Sequence, residues 1–211
     1  MESTLSLVVP LRRFGDAKSR LATVLSDDER ATLARACAES VLSCGLPAFV
    51  VCDDPETADF ALSAGATPIV VSSRGLNPAL AEALPLIRAA AGTCHLMFAH
   101  ADLPFGGDLS ELANQPNLDR HEVVIVPDRH NDGSNVVIVG EAILDAWKFC
   151  YGPASFVAHH RLAVDLGARV TVVDHPRLSI DLDTPDDLND PRVASFVARL
   201  LGHDITEGRP A

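Results

Sequence analysis

The sequence has 211 residues, of which 47% are hydrophobic and 22% are charged, a composition typical of globular proteins and too apolar for a disordered chain. Its 17 basic and 29 acidic side chains give a formal net charge of −12, which argues against nucleic acid or an anionic membrane as the main partner. No apolar run approaches the ~20 residues of a membrane span, and the N-terminus lacks the basic-then-apolar order of a signal peptide. The five cysteines are scattered without a CxxC pair, which predicts reduced thiols and a cytoplasmic location.

Short runs of apolar, β-branched residues alternate with helical patterns along the chain. The predicted strands are Leu5–Val9, Ala48–Cys52, Thr67–Val71, His95–Ala99, Glu122–Pro127, Asn135–Val139 and Arg169–Val173. Helices are predicted from the Ser26 cap to Gly45, from Asp54-Pro55 to Gly65, from Asn77-Pro78 to about Ala91, and over Asp108–Asn114, Pro153–Leu166 and Pro191–Leu201.

This alternation of strands and helices is typical of βαβ units, which build a mostly parallel sheet covered by helices on both faces. It predicts a single three-layer α/β domain, Rossmann-like in outline, over residues 1–203. Residues 204–211 are predicted to form a flexible C-terminal tail.

Two helix starts carry local signals. Ser26 with Glu29 three residues later has the spacing of a capping box. Asn77 followed by Pro78 predicts a helix with asparagine at the cap and proline in its first turn.

The basic residues are unevenly distributed, because Arg12, Arg13, Lys18 and Arg20 fall within nine positions that follow the first predicted strand. Ligands of open α/β sheets bind beyond the carboxyl ends of strands, so this loop is well placed for an anion such as a phosphate chain. It is not a P-loop, because GxxxxGK[ST] is absent, and GxGxxG is absent from the chain. A solvated basic loop is the alternative interpretation.

Acidic residues that could bind a metal lie in two other places, after the fourth predicted strand and within residues 179–183. Asp102 comes just after the fourth strand, where a carboxylate can hold Mg²⁺ through oxygen. If residues 179–183 are extended, Asp181 and Asp183 point to the same side and can reach one metal. The alternative is that Asp183 belongs to the cap of the next helix, as Asp187 and its acidic neighbours are expected to do. A basic loop combined with acidic groups from two strand ends suits a polyphosphate with its magnesium.

Two turn-rich segments could also present polar groups to an anion. Residues 127–135 form a predicted loop before a strand, and residues 151–156 lead into a predicted helix whose N-terminus could accept a phosphate or carboxylate. A turn and a helix cap are the alternative interpretations. The absence of GxSxG and of a convincing Cys–His pair disfavours hydrolase chemistry, and His159-His160 do not make a metal site.

Seven short motifs occur in one order that covers nearly the whole chain. They are Val9-Pro10 with Ala17-Lys18-Ser19-Arg20-Leu21, Gly75-Leu76-Asn77, Ala101-Asp102-Leu103-Pro104, Pro127-Asp128-Arg129, Ser134-Asn135, Tyr151-Gly152-Pro153 with Ser155-Phe156, and Asp181-Leu182-Asp183-Thr184-Pro185. This order resembles the 2-phospho-L-lactate or phosphoenolpyruvate guanylyltransferases of the CofC type. That resemblance implies a MobA-like nucleotidyltransferase fold and a place in biosynthesis of the deazaflavin coenzyme F-420.

The resemblance implies that a phosphorylated three-carbon acid attacks the α-phosphorus of GTP and releases pyrophosphate. It makes Asp102, Asp181 and Asp183 ligands of two Mg²⁺ ions and, with Lys18, the catalytic residues. Lys18, Arg12 and Arg20 would bind the triphosphate, and Asn77 lies in the segment associated with the nucleotide. Ser134, Gly152 and Ser155 match positions that contact the acid, which is phosphoenolpyruvate, 2-phospho-L-lactate or 3-phospho-D-glycerate.

Three positions depart from the family pattern: Arg12 replaces a lysine, residues 131–134 replace a glycine-rich turn, and His100 replaces a small or apolar residue. Two alternatives stay open, another MobA-like transferase acting on molybdopterin or a sugar phosphate, and a non-catalytic nucleotide-binding module. The predicted partners are small-molecule substrates, not nucleic acid or membrane. A homodimer and a downstream enzyme that takes up a labile guanylylated product are further candidate partners.

Overall fold

The computed structural model describes residues 4–92, 94–114 and 118–203, so the predicted tail 204–211 lies outside the described residues. The strands are β1 Thr4–Pro10, β2 Ala48–Cys52, β3 Thr67–Val70, β4 Cys94–Ala99, β5 Glu122–Pro127, β6 Ser134–Val139 and β7 Arg169–Val172. The helices are α1 Asp27–Leu42, α2 Pro55–Ser63, α3 Leu76–Ala91, α4 Leu109–Ala113, α5 Ser155–Asp165 and α6 Pro191–Leu201. Four 3₁₀ turns lie at Phe14–Asp16, Ser19–Leu21, Gly106–Asp108 and Pro185–Asn189.

The seven strands form one mixed sheet in the order β3-β2-β1-β4-β6-β5-β7. β6 pairs antiparallel with both β4 and β5, and the other strand pairs are parallel. The amino end of β6 therefore lies at the same sheet edge as the carboxyl ends of its neighbours. The predicted mostly parallel α/β sheet is confirmed.

Helices cover both faces of this sheet because the strand residues alternate in direction. Val8 of β1 packs in a cluster with α3 and α5, whereas its neighbours Leu7 and Val9 pack in a second cluster with α1 and α4. The helix α2 covers β2 on the second face. A further cluster packs the apolar face of α6 and the side chains of Ile180 and Leu182 against α1. This arrangement is the three-layer architecture that the alternating pattern predicts.

The predicted Ser26–Glu29 capping box is present at α1. The predicted cap of α3 is wrong, because Gly75 precedes the helix and Asn77 lies within its first turn. Gly75 has φ +92, a conformation that glycine adopts without the steric penalty of a side chain. At α5 the helix begins at Ser155 rather than at the predicted Pro153, after Ala154 with φ +57.

All five cysteines lie within the described residues and are free, and four of them are buried. Their thiols are therefore compatible with the predicted reduced state. Among the described helices, none combines the length and apolar character needed to cross a bilayer.

The close contact between the Gly106 turn and α1 predicts a large loss of stability for Gly106→Ala. A Cβ at Gly106 would lie 2.6 Å from both the backbone N and the Cα of Val41, and helix backbone cannot move aside cheaply. We expect the free energy of unfolding to fall by about 3 kcal/mol, measured by urea denaturation. Gly107→Ala is the matched control, because its Cβ would meet only Ser43 Oγ at 3.6 Å. Equal stability of the two variants would contradict the prediction.

Candidate active site

A cleft of about 380 Å³ opens at the carboxyl edge of the sheet, beyond the ends of β1, β2 and β4 and beside the start of α3. After β1 the chain proceeds to β2 on one side, and after α3 it returns to place β4 on the other side of β1. This reversal is the topological switch point, where open α/β sheets bind their ligands. Four of the predicted catalytic, binding or metal-ligating residues line the cleft: Arg12, Lys18, Asp102 and Asp183.

The basic loop after β1 is held in a specific conformation. Lys18 has φ +54, a left-handed conformation that is uncommon for a residue with a side chain. Its Nζ donates a hydrogen bond to the carbonyl oxygen of Leu182. Behind the loop, the buried side chain of Arg30 donates to the carbonyl oxygen of Ala17 and pairs with Asp27. Sequence reasoning missed Arg30, because nothing in the helical pattern of α1 distinguishes it from a surface arginine.

The acidic segment 180–183 lies beside this loop and beside the end of β4. It is not a β-strand, but the alternation expected of an extended segment is present, because Ile180 and Leu182 are buried while Asp181 and Asp183 are half-buried. The Leu182 N–H donates to the carbonyl oxygen of Asp102 at 3.1 Å, which joins the two acidic regions. The Asp183 carboxylate accepts a hydrogen bond from Arg20 at 2.7 Å.

Asp102 and Asp181 have the properties of a cation site. Asp102 Oδ1 is buried and has no hydrogen-bond partner among the described residues. The pKa of Asp181 is raised, first by burial and then by the negative charge of Asp102. A buried carboxylate oxygen without a donor, near a second carboxylate, is unfavourable unless a cation compensates it. These oxygen ligands fit Mg²⁺.

The three predicted metal ligands, Asp102, Asp181 and Asp183, do not form a group whose ligand atoms all lie within 4.8 Å of one another. Among the described residues, the three acidic or histidine side chains whose ligand atoms lie within 4.8 Å of one another are Asp108, Glu111 and His175. In that cluster His175 Nδ1 accepts the backbone N–H of Leu178, so its Nε2 hydrogen faces Glu111 and both ring nitrogens have protein partners.

Asp187 fulfils the capping role expected of it. Its carboxylate accepts the backbone N–H groups of Asp183 and Thr184 and forms an ion pair with Arg129. Asp190 similarly caps α6 through the N–H of Arg192. Capping by Asp187 leaves the Asp183 side chain free for its contact with Arg20.

Ser134, Gly152 and Ser155 lie together, outside the residues that line the cleft. The Ser134 N–H donates to Ser155 Oγ at 3.1 Å, which links the start of β6 to the first residue of α5. Both serines are buried and Gly152 is exposed. The Asp132 carboxylate accepts the N–H of Ala154, so an internal carboxylate occupies part of the α5 N-terminus that the sequence suggested for an anion.

Behind these serines, His159 is held in one tautomer. Its Nε2 accepts the backbone N–H of Cys150 at 3.1 Å, so the hydrogen of the neutral ring is on Nδ1, 3.0 Å from Ser134 Oγ. Burial lowers the pKa of His159 to about 4, which keeps the ring neutral. The sequence offered no signal for this role beyond the adjacent pair His159-His160.

Asn77 contacts the protein rather than the open cleft. Its Nδ2 donates to the carbonyl oxygen of Tyr151, and its Oδ1 accepts the Tyr151 N–H, both at 2.8 Å. Asn77 and Arg20 are absent from the residues that line the cleft. The predicted contacts of both residues with a nucleotide stay predictions.

Comparisons with known proteins show the family to which the chain belongs. The model of a family described as "Guanylyl transferase CofC like" matches residues 5–192. The chain is 32% identical to the phosphoenolpyruvate guanylyltransferase of Conexibacter woesei, over 86% of this chain and 84% of that protein. It is 33% identical to the 2-phospho-L-lactate guanylyltransferase of Halorubrum lacusprofundi, over 90% of this chain and 82% of that protein.

Solved structures extend the comparison to the fold. The structure of a putative nucleotide-diphospho-sugar transferase from Desulfovibrio desulfuricans matches with a TM-score of 0.69, covering 95% of this chain and 94% of that one at 14% identity. At this identity the match supports the nucleotidyltransferase fold alone. Taken with the family match over residues 5–192, it shows that the chain is a nucleotidyltransferase and belongs to the CofC-like guanylyltransferase family.

Proposed function

We propose that this enzyme transfers GMP from GTP to a phosphorylated three-carbon acid and releases pyrophosphate, as a step in coenzyme F-420 biosynthesis. The observation that carries the proposal is the cleft at the switch point, where Arg12 and Lys18 lie in one cavity with Asp102 and Asp183. Cationic side chains that would bind a polyphosphate and carboxylates that would bind its metal thus line the same cleft. The names of the curated relatives, which specify phosphoenolpyruvate and 2-phospho-L-lactate, support the choice of acceptor.

The chemistry requires little acid–base catalysis. A phosphate monoester is mostly ionised at neutral pH because its second pKa is about 6. Its oxygen attacks the α-phosphorus of GTP, the bond from that phosphorus to the β-phosphate bridging oxygen breaks, and pyrophosphate leaves with the bond electrons. Positioning of two polyanions and neutralisation of their charge are the remaining requirements. The low pKa of His159 fits a structural role better than that of a proton acceptor.

Asp102 and Asp181 would hold Mg²⁺, and Asp183 would join them after exchanging its contact with Arg20. Bound Mg²⁺ supplies charge neutralisation at the phosphate oxygens. The unpartnered Oδ1 of Asp102 supports this role.

Lys18 would donate to the triphosphate in place of its contact with the Leu182 carbonyl oxygen. Arg12, exposed on the cleft wall, would add a second cationic contact. Arg20, which does not line the cleft in this structure, would reach the phosphates only after leaving its ion pair with Asp183. On the acceptor side, Ser134, Gly152 and Ser155 would contact the phospho-acid, which requires the buried serine hydroxyls to become accessible.

The test is an assay of pyrophosphate release with Mg²⁺, each of GTP, ATP, CTP and UTP, and each of phosphoenolpyruvate, 2-phospho-L-lactate and 3-phospho-D-glycerate. We expect release with GTP and one or more of these acids, and a new phosphodiester linkage in the ³¹P NMR spectrum. Release that requires a sugar phosphate or a molybdopterin would instead support a related transferase. Absence of release with GTP and all three acids would refute the proposed acceptor class. The homodimer, the downstream enzyme and the cytoplasmic location stay predictions.

A further inference from the structure

The connecting segment, residues 148–152, leads from the turns after β6 to the start of α5 and has no regular secondary structure. Two of its residues are held by side chains instead of a strand partner. Tyr151 exchanges two hydrogen bonds of 2.8 Å with the amide of Asn77, and the Cys150 N–H donates to His159 Nε2. The position of the segment therefore depends on side chains from α3 and α5.

Two hydrogen bonds to Tyr151 fix the orientation of the Asn77 side-chain amide. Its oxygen must face the Tyr151 N–H and its nitrogen must face the Tyr151 carbonyl, so the two contacts fix the orientation of the planar group. Asn77 lies 74 positions from Tyr151 along the chain, so this is a long-range tie between two parts of the fold. The Asn77 amide thus gives the Tyr151 backbone one donor and one acceptor, as a neighbouring β-strand would.

Tyr151 lies between the cleft and the group formed by Ser134, Gly152 and Ser155. Its ring packs edge-on against His100 of the cleft wall, with centroids 5.1 Å apart, and against His159, with centroids 4.7 Å apart. His159 in turn contacts Ser134. Gly152 follows Tyr151 directly, with φ +134, so movement of Tyr151 would shift Gly152 and the start of α5.

We propose that Asn77 is a positioning residue for the phospho-acid, acting through Tyr151 and Gly152, rather than a residue that reads the nucleotide. This inference rests on the proposed function, because it takes Gly152 and the two serines as the acceptor site. Asn77 lies on the helix that borders the nucleotide cleft, yet both of its polar atoms are committed to the connecting segment. Its loss would loosen the acceptor side while leaving the cleft walls in place.

Steady-state kinetics of Asn77→Ala and Asn77→Asp test the inference. We expect each variant to raise KM for the phospho-acid at least about tenfold, with KM for GTP within about twofold of the unmodified protein. Aspartate keeps an acceptor for the Tyr151 N–H but puts a second oxygen against the Tyr151 carbonyl, so it should not rescue the acceptor KM. Isothermal titration of the phospho-acid gives a readout that does not require turnover.

Arg88→Ala is the matched control, because Arg88 ties the same helix to Asp145 by an exposed ion pair away from the cleft. We expect both KM values of this variant to be unchanged. Three outcomes would overturn the inference: a raised KM for GTP with a normal acceptor KM, both KM values unchanged, or equal effects of Arg88→Ala and Asn77→Ala. If Asn77→Ala does not fold, the Asn77→Asp kinetics and titration decide alone. Failure of the proposed function is distinguishable, because the unmodified protein would then form no product with any three-carbon phospho-acid.

Discussion

Asp102→Asn is expected to lower kcat for GMP transfer by about a thousandfold while leaving the protein folded. Asp102 contributes the buried Oδ1 that lacks a hydrogen-bond partner among the described residues. Asparagine has nearly the same shape, but it removes the negative charge that would hold Mg²⁺ beside Asp181. The measurement is kcat at saturating GTP, acceptor and Mg²⁺, together with the Mg²⁺ concentration that gives half-maximal rate.

The stability of this variant should move in the opposite direction to its activity. Burial and then the negative charge of Asp102 raise the pKa of Asp181, so Asp102 disfavours the ionised form of Asp181 in the free protein. We therefore expect a melting temperature equal to or above that of the unmodified protein. Asp174→Asn is the control, since Asp174 is an exposed carboxylate just past the end of β7 and outside the cleft. Normal kcat for Asp102→Asn would remove Asp102 from the proposed metal site.

Lys18→Ala is expected to raise KM for GTP roughly tenfold to a hundredfold, because a charge-assisted hydrogen bond to a phosphate is lost. The main measurement is KM for GTP at fixed, saturating acceptor. Lys148→Ala is the control, since it removes the only other lysine of the chain from an exposed position.

The left-handed backbone of Lys18 allows a second comparison. Alanine at φ +54 keeps the unfavourable conformation, whereas glycine adopts it freely. Lys18→Gly and Lys18→Ala should therefore share the defect in GTP binding and differ in melting temperature, with glycine the more stable. A normal KM for GTP in both variants would contradict the role of the amine.

Much of the fold could be predicted because local patterns and packing agree. β2 at Ala48–Cys52, β5 at Glu122–Pro127 and α6 at Pro191–Leu201 have their predicted bounds, since apolar runs there are limited by proline, glycine or acidic caps. The predicted start of α3 was wrong. Asn77-Pro78 is typical of a helix cap, but the Asn77 side chain hydrogen-bonds to a distant partner, Tyr151, and the helix begins at Leu76. No local pattern encodes a hydrogen bond across 74 positions.

The candidate site was predictable where it follows strand ends. The rule that ligands bind beyond the carboxyl ends of strands pointed to Lys18 and Asp102, which line the cleft. The alternation around Leu182 pointed to Asp181 and Asp183, of which Asp183 lines the cleft, and the roles of all four residues stay predictions. The supporting residues were not predictable, because Arg30 and His159 act through contacts that depend on the packing of α1 and α5. Their residue types and spacing match those of ordinary helix positions.

The reversed direction of β6 has a consequence for how this enzyme can diversify. Because β6 runs antiparallel to β4, its first residue, Ser134, reaches the edge where the other strands end. One continuous stretch, residues 128–159, thereby supplies the loop before β6, the connecting segment and the start of α5. On the proposed assignment, substitutions within that stretch can alter the choice of phospho-acid without any change in the basic loop after β1 or in the acidic segment 180–183.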